Sequence, residues 1–282
     1  TDAQVGKLAA SGVRRIQPGI ESFSTATLKL MRKGTTAFNN IRLLMHCLHH
    51  DGQPLWNLLL SWPGKVRDTY RAYLDFLPNL FHLPPPSGVY PIRFDRFSPY
   101  HVSPASFGLT ELSPYPAYAC IYREIPDAEI ANLAYYFTAD YPEGAAGESY
   151  ARRAFEELEL WKDRAAEFAL FHVETEDGVL VFDLRGDEPR LYRLADEYAD
   201  VFLATDQITP LENFSGLPQL AQAARTLIEL ELLVEEDAKA LNVSVAATES
   251  LRLGTGAVDR LGPLLTKTDA AALTIDAAHI AT

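Results

Sequence analysis

Gly12-Val13-Arg14-Arg15-Ile16-Gln17-Pro18-Gly19-Ile20-Glu21-Ser22-Phe23-Ser24 is the stretch on which the fold turns. Residues 13–21 read as a short strand. Gly12 ends the helical pattern of residues 2–10 before it, and Ser24 and Thr25 offer an N-cap to a helix after it. Side chains alternate across a strand, so Gln17, Gly19 and Glu21 share one face and Pro18, Ile20 and Ser22 the other. The first face carries an amide, a bare backbone and a carboxylate, close to the strand's C-terminal end, where α/β sheets bind ligands. Such a face suits a polar ligand. Glu21 equally suits a surface ion pair or a helix-terminal charge, and these residues alone leave the choice open.

Outward from that strand, residues 27–33 make two helical turns stopped by Gly34, and Thr35 or Thr36 caps the next helix. Its apolar residues Phe38, Ile41, Leu44, Met45 and Leu48 keep helical spacing as far as Gly52. Residues 55–62 are almost continuously apolar, as in a parallel strand buried on both faces. After a turn at Pro63-Gly64, Val66, Tyr70, Tyr73, Leu74 and Leu77 predict a third amphipathic helix, and residues 89–98 a third strand. The order β-α-β-α-β builds a parallel sheet or a (β/α) barrel.

Residues 99–126, with five prolines, read as irregular. A helix is expected from Asp127, with Ile130, Leu133, Ala134 and Phe137 on one face. Another is expected over 148–168, with Phe155, Leu158, Trp161 and Ala165 inward. Glu176-Asp177-Gly178 marks a hairpin between 170–173 and 179–184. Helices through Tyr198, Val201 and Phe202 and over 217–230 precede two strands, 232–235 and 240–246, around Asp237-Ala238. Helices followed by a β-ribbon predict a small winged-helix-like module. The resulting division is an α/β segment over 1–110, a helical segment with a hairpin over 111–184, the winged-helix-like α+β module over 185–248, and a weakly patterned, poorly ordered tail over 249–282.

The chain has 282 residues, 48% of them apolar, and a formal net charge of -13. The charge argues against nucleic acid and against an anionic membrane surface as partners. No apolar run reaches the length of a membrane span and no signal peptide opens the chain, so a cytoplasmic location is expected. Cys47 and Cys120 are the two cysteines, too few and too far apart for a disulfide framework or a Cys-held metal. His46, His49 and His50 cluster on one helix, but no carboxylate motif accompanies them in sequence and no metal is assigned. The chain opens on Thr1 with a helix leading straight into a strand, as if entering a domain partway.

The 12–22 stretch is followed by Leu28-Lys29-Leu30-Met31-Arg32-Lys33-Gly34, Trp56-Asn57-Leu58-Leu59 with Trp62-Pro63-Gly64, and His82-Leu83-Pro84-Pro85-Pro86. Ile92-Arg93-Phe94-Asp95-Arg96-Phe97-Ser98-Pro99-Tyr100 closes the series. In this order and spacing, residues 1–110 resemble the second half of a radical S-adenosylmethionine (SAM) domain. They are similar in particular to the cobalamin-dependent enzymes that C-methylate ribosomally synthesised peptides. The rest of the chain follows that family more loosely.

The resemblance implies the second half of a radical SAM (β/α) partial barrel, followed by the helical segment and the small winged-helix-like module. It also implies SAM, a [4Fe-4S] cluster and cobalamin as cofactors. The Cys-x3-Cys-x2-Cys loop that holds the cluster, and the cobalamin domain, are expected upstream of Thr1. On the same basis Glu21 and Gln17 contact SAM and Gly19 lets the ligand approach the backbone. Asn57, a polar residue in the apolar next strand, is either a ligand contact or a satisfied internal hydrogen bond. Arg93 and Arg96 lie on opposite faces of the third strand. One is expected to reach a ligand carboxylate and the other a helix C-terminus, with Arg96 preferred for the ligand. Tyr100 and His101 are the tentative substrate contacts. The implied partner is a precursor peptide, with its leader on 185–248. Two rival readings remain: a non-catalytic peptide-binding fragment, and an unrelated (β/α) enzyme.

Overall fold

Parallel pairing organises the first third of the chain. The computed structural model describes residues 1–63, 74–248, 251–266 and 273–275. In it β1 (Arg15–Ile16) lies alongside β2 (Gln53–Pro54), and Glu21 bridges in parallel to Leu58. β3 (Asn57–Leu60) pairs in parallel with β4 (Gly88–Pro91), Asn57 opposite Gly88. The first strand is thinner than its sequence predicts, because residues 17–20 leave the ladder. Pro18 within that gap has no N–H to give to a neighbour. The helices Thr25–Leu30 and Ala37–His49 fill the first crossover. The Ser24 hydroxyl accepts from the Thr27 N–H and that of Thr36 from the Asn39 N–H, as N-caps do.

The expected third strand splits at Pro91. β5 (Phe94–Asp95) turns away and joins an antiparallel sheet with β6 (Thr110–Pro114) and β7 (Tyr136–Asp140), in the order β5-β7-β6. Among the described residues no strand closes the parallel set into a barrel. The fold is mixed α/β. Residues 99–126, expected to be irregular, hold the helix Pro99–Val102, β6 and the helix Ala117–Ile121. Phe137 belongs to β7 rather than to the helix Asp127–Leu133. Of the predicted helix after Pro63, Val66, Tyr70 and Tyr73 lie outside the described residues, while Leu74 and Leu77 are buried.

Beyond a long helix, Pro142–Arg164, the hairpin of β8 (Leu170–Thr175) and β9 (Gly178–Asp183) turns where its sequence predicts. A Cβ on Gly178 would stand 2.1 Å from the Leu194 carbonyl, and its φ is +138°, so only glycine fits. β10 (Arg190–Leu194) extends this sheet antiparallel to β9. The helices Asp196–Ala204 and Pro218–Glu229 pack on each other and lead into a second sheet. In that sheet β13 (Lys239–Asn242) lies between β11 (Thr209–Pro210) and β12 (Leu233–Glu236). Asp237 and Ala238 both take positive φ, as a two-residue hairpin turn requires. β14 (Val245–Ala246) then adds in parallel to β8, and β15 (Leu273–Ile275) to β10.

The tail expectation is corrected for its first part. The helix Thr255–Thr266 packs Ala257 into an apolar cluster, and the Arg260 guanidinium donates to the carbonyls of Glu167 and Leu184 at 3.1 and 2.8 Å. Residues 249–250, 267–272 and 276–282 lie outside the described set. On the long helix, Leu158 and Trp161 are buried as expected, but Phe155 is 51% exposed. The main core runs without a break from Ile20, Trp56 and Leu58 through Trp161, Val181 and Tyr192 to Phe202, Leu227 and Leu241. Each large side chain buried there contributes about 1.5–3 kcal/mol. No described helix is long and apolar enough to cross a membrane.

His82 joins the two halves. Buried in the core, it donates from Nε2 to the Val243 carbonyl at 2.7 Å. Burial, helped by the nearby Arg185 cation, pushes its imidazole down to about 3. In the unfolded chain it titrates near its ordinary value of 6.5, so between pH 6.5 and 3 the unfolded state binds a proton that the folded state refuses. Stability from this group is therefore complete above about pH 6.5 and declines as the pH falls through that window. Urea unfolding at pH 7 and pH 5 is expected to differ by about 2 kcal/mol on account of His82, a difference that His82→Gln removes.

Candidate functional site

Glu21 is held in place before it meets anything else. The buried amide of Asn40, on the helix Ala37–His49, donates to the carbonyls of Ile20 and Ser22, each at 2.9 Å. The Leu59 N–H donates to the Glu21 carbonyl at 3.0 Å. Ile20 and Phe23 are buried on the core side. Between these anchors Glu21 takes φ +58°, a left-handed conformation that a non-glycine residue adopts only when its surroundings impose it. Its carboxylate turns outward and pairs with the Lys33 ammonium.

That carboxylate lines a cleft of about 1150 Å³ at the C-terminal ends of the parallel strands. Asn57 and Leu59 of β3 face the cleft, alternating with buried Leu58 and Leu60. Tyr90 of β4 folds its ring over Gly88, so that a Cβ on Gly88 would stand 2.6 Å from the ring. Phe94, Tyr136, Phe137 and Tyr141 form the far wall, and Trp62, Tyr100 and Phe107 one end. The Tyr141 hydroxyl donates to the carbonyl of Ser61 at 2.8 Å. Ser61 and Arg32 are left-handed too, with φ of +59° and +55°. Strained backbone of this kind gathers at binding sites.

Charge in the cleft is mixed. Glu21 faces Lys33 and Arg32 on one side, and Arg93 and Asp95 stand on the other. Arg93 donates from Nε to Asp95 Oδ1 at 2.7 Å, and its guanidinium lies 4.2 Å from the centre of the Tyr136 ring. Burial pushes the Tyr100 phenol up to about 12, so at neutral pH it is a hydrogen-bond donor. Flat rings, two carboxylates and three cations around one cleft suit a ligand that is aromatic at one end and zwitterionic at the other.

The structure brings Glu21, Asn57 and Tyr100 together in this cleft and leaves the other expected residues out of it. Gln17 is exposed beyond β1. Gly19 is exposed as well. A Cβ there would meet Lys33 Nζ at 3.5 Å and Glu21 Oε1 at 3.6 Å, ordinary contacts, so no close approach demands glycine. The expectation for Arg96 is corrected. Its Nε donates to the Ala134 carbonyl at 2.6 Å and Nη2 to that of Ala131, which holds it at the end of the helix Asp127–Leu133. Arg93 takes the cleft position instead. His101 packs its ring against Phe137, 4.6 Å between centroids, outside the cleft wall.

Arg32, Lys33 and Tyr90, which line the cleft, and Asn40, which holds the backbone at Glu21, are not singled out by the sequence. Asn40 had a readable signal: it falls beside Phe38, Ile41 and Leu44 on a helix face that is otherwise apolar. Cys47 is a buried thiol pushed up to about 11 by burial, and Cys120 is exposed on a separate helix. Among the described residues, the group able to hold a metal ion is Asp2 with His49 and His50, beyond the N-terminal ends of the strands.

Removing the Asn40 amide leaves the buried Ser22 carbonyl without a donor, at about 1–3 kcal/mol when nothing replaces it, while the Ile20 carbonyl keeps the Ser22 N–H. Asn40→Ala is expected to lower the unfolding free energy by about 1–3 kcal/mol in urea titrations. Lys33→Met, which breaks a partly exposed ion pair, should change it by less than about 1 kcal/mol.

No protein-family model and no curated protein matches the chain, so the reading of the cleft rests on its own residues.

Proposed function

We propose that this chain is the C-terminal part of a cobalamin-dependent radical SAM enzyme, acting in the cytoplasm, that C-methylates a ribosomally synthesised precursor peptide. The cleft takes SAM beside the peptide residue to be modified. The observation that carries the reading is Glu21, pinned in a left-handed conformation at a parallel strand's end with its carboxylate in an aromatic cleft. A carboxylate there accepts from ribose hydroxyls or pairs with the methionyl ammonium. Lys33, beside Glu21, receives the methionyl carboxylate in this reading, and the Tyr90 ring offers a face to the adenine. Asn57 supplies both a donor and an acceptor.

The residues present fit SAM. They do not fit the cluster, since two cysteines cannot provide three thiolates. In such an enzyme the cluster would supply the electron that activates SAM and cobalamin the methyl group, and neither group would be held by the residues of this chain. This chain's part is to bind, orient and exclude water. Exposed Tyr115, lining the cleft, and Phe97, next in sequence to lining Ser98, offer the peptide apolar contact.

The helices Asp196–Ala204 and Pro218–Glu229 with the sheet β11-β13-β12 support the winged-helix-like reading of 185–248, where the leader peptide docks. Glu236 on β12 accepts from the Thr25 backbone N–H at 2.7 Å. That contact ties the module to the helix that begins four residues after Glu21.

The test is anaerobic incubation of the complete gene product, reconstituted with iron, sulfide and a cobalamin, with SAM and its precursor peptide. Methylated peptide and 5′-deoxyadenosine are expected. Glu21→Gln and Asn57→Ala should each cut turnover about tenfold or more, as the loss of a charge-assisted or buried hydrogen bond implies. Peptide binding with no 5′-deoxyadenosine favours the non-catalytic reading, and an undiminished Glu21→Gln enzyme refutes the cleft assignment.

A further inference from the structure

Three imidazoles converge on one carboxylate oxygen at the other end of the parallel strands. Asp2 Oδ1 lies 3.3 Å from His46 Nδ1, 3.4 Å from His49 Nδ1 and 2.9 Å from His50 Nε2. Asp2 comes from the helix Asp2–Ala10, and the histidines from the C-terminal turn of the helix Ala37–His49 and its cap. The donor atoms of Asp2, His49 and His50 all lie within 4.8 Å of one another.

We propose that Asp2, His49 and His50, with His46 beside them, bind a divalent cation of the zinc class. The distances favour it. Ligand atoms of a tetrahedral site with bonds of about 2.0–2.1 Å stand roughly 3.3 Å apart, which is the spacing found around Asp2 Oδ1. Imidazole nitrogens with one carboxylate are a zinc donor set, and too poor in oxygen for calcium or magnesium.

Two neighbouring features hold the ligands in position. The His49 and His50 rings stack with centroids 4.6 Å apart, and Arg14 donates to the His50 carbonyl at 3.0 Å. Gly6, in the interior of the helix Asp2–Ala10 where glycine weakens a helix, faces the His50 ring. A Cβ there would stand 3.0 Å from Cε1 and 3.3 Å from Nε2. Glycine leaves the imidazole room to reach Asp2. The bound ion clips the first helix to the one that carries Asn40. It sits beside the starts of β1 and β2, at the opposite end of the strands from the cleft, so its role is stabilising, and it stands or falls independently of the cleft's function.

The test uses the complete gene product without a histidine tag, stripped with a chelator and dialysed against zinc alone. One zinc per chain is expected. Zinc about a hundredfold above its Kd should raise Tm by roughly 5 °C or more. Asp2→Ala, His49→Ala and His50→Ala should each weaken binding by more than about a hundredfold, beyond the cost of losing an outer partner. His50→Gln, which keeps a hydrogen bond to Asp2, should lose zinc while retaining native circular dichroism. Cobalt(II) in place of zinc should show the intense visible bands of tetrahedral coordination. Chelator-stripped wild-type protein that takes up no zinc, or equal zinc on the wild type and the folded His50→Gln variant, overturns the site.

Discussion

The register of β3 is the constraint from which the rest of the structure follows. This strand has parallel partners on both sides, Glu21 against Leu58 and Gly88 against Asn57. In this register Leu58 and Leu60 enter the core and Asn57 and Leu59 face the cleft. A slip of one residue would exchange the two sets, putting an amide among the core side chains and two leucines in solvent. The first partner is itself held by Asn40, whose amide bonds both flanking carbonyls. Helix, strand end and cleft carboxylate are thus one mechanical unit.

The two ends of that unit differ in chemistry. At the C-terminal end the backbone is left-handed at Glu21, Arg32 and Ser61, the side chains are aromatic or charged, and a large cleft stays open. Rigid support beneath a polar opening is what ligand binding needs. At the N-terminal end the polar groups turn on each other, as three imidazoles do around Asp2, and contribute to holding helices together. The core between them continues into the C-terminal sheets through Trp161, Tyr192 and Phe202, with His82 as a polar link to Val243.

Much of this was legible in the sequence where local chemistry decides. Glu176-Asp177-Gly178 and Asp237-Ala238 carry their turns by themselves, and the 3.6-residue spacing of Phe38, Ile41 and Leu44 gives both the helix and its buried face. Strand alternation is local too, and in β3 it turns Asn57 and Leu59 to the cleft, whereas the expected alternation of Gln17, Gly19 and Glu21 fails because residues 17–20 leave the ladder. What tertiary contacts decide was not legible. Arg93 and Arg96 flank β5 rather than lying on opposite faces of one strand, and it is the placement of the helix Asp127–Leu133, whose last carbonyls take up Arg96, that leaves Arg93 to line the cleft. Phe155 is exposed because its helix packs along Leu158 and Trp161 instead. The helix Thr255–Thr266 has weak patterning and depends on the groove that receives Ala257 and on the carbonyls that bind Arg260. Asp2 and the histidines are over forty positions apart in sequence, so no motif search joins them.

The central claim is that the strand-end cleft is a SAM site. Hydrogen exchange of this protein with and without saturating SAM tests it most directly. The account predicts slowed exchange at the amides of residues 20–23, 57–62 and 88–93, with the sheet of 233–242 unchanged. Unaltered exchange across those strand ends, or protection confined to 233–242, would contradict it.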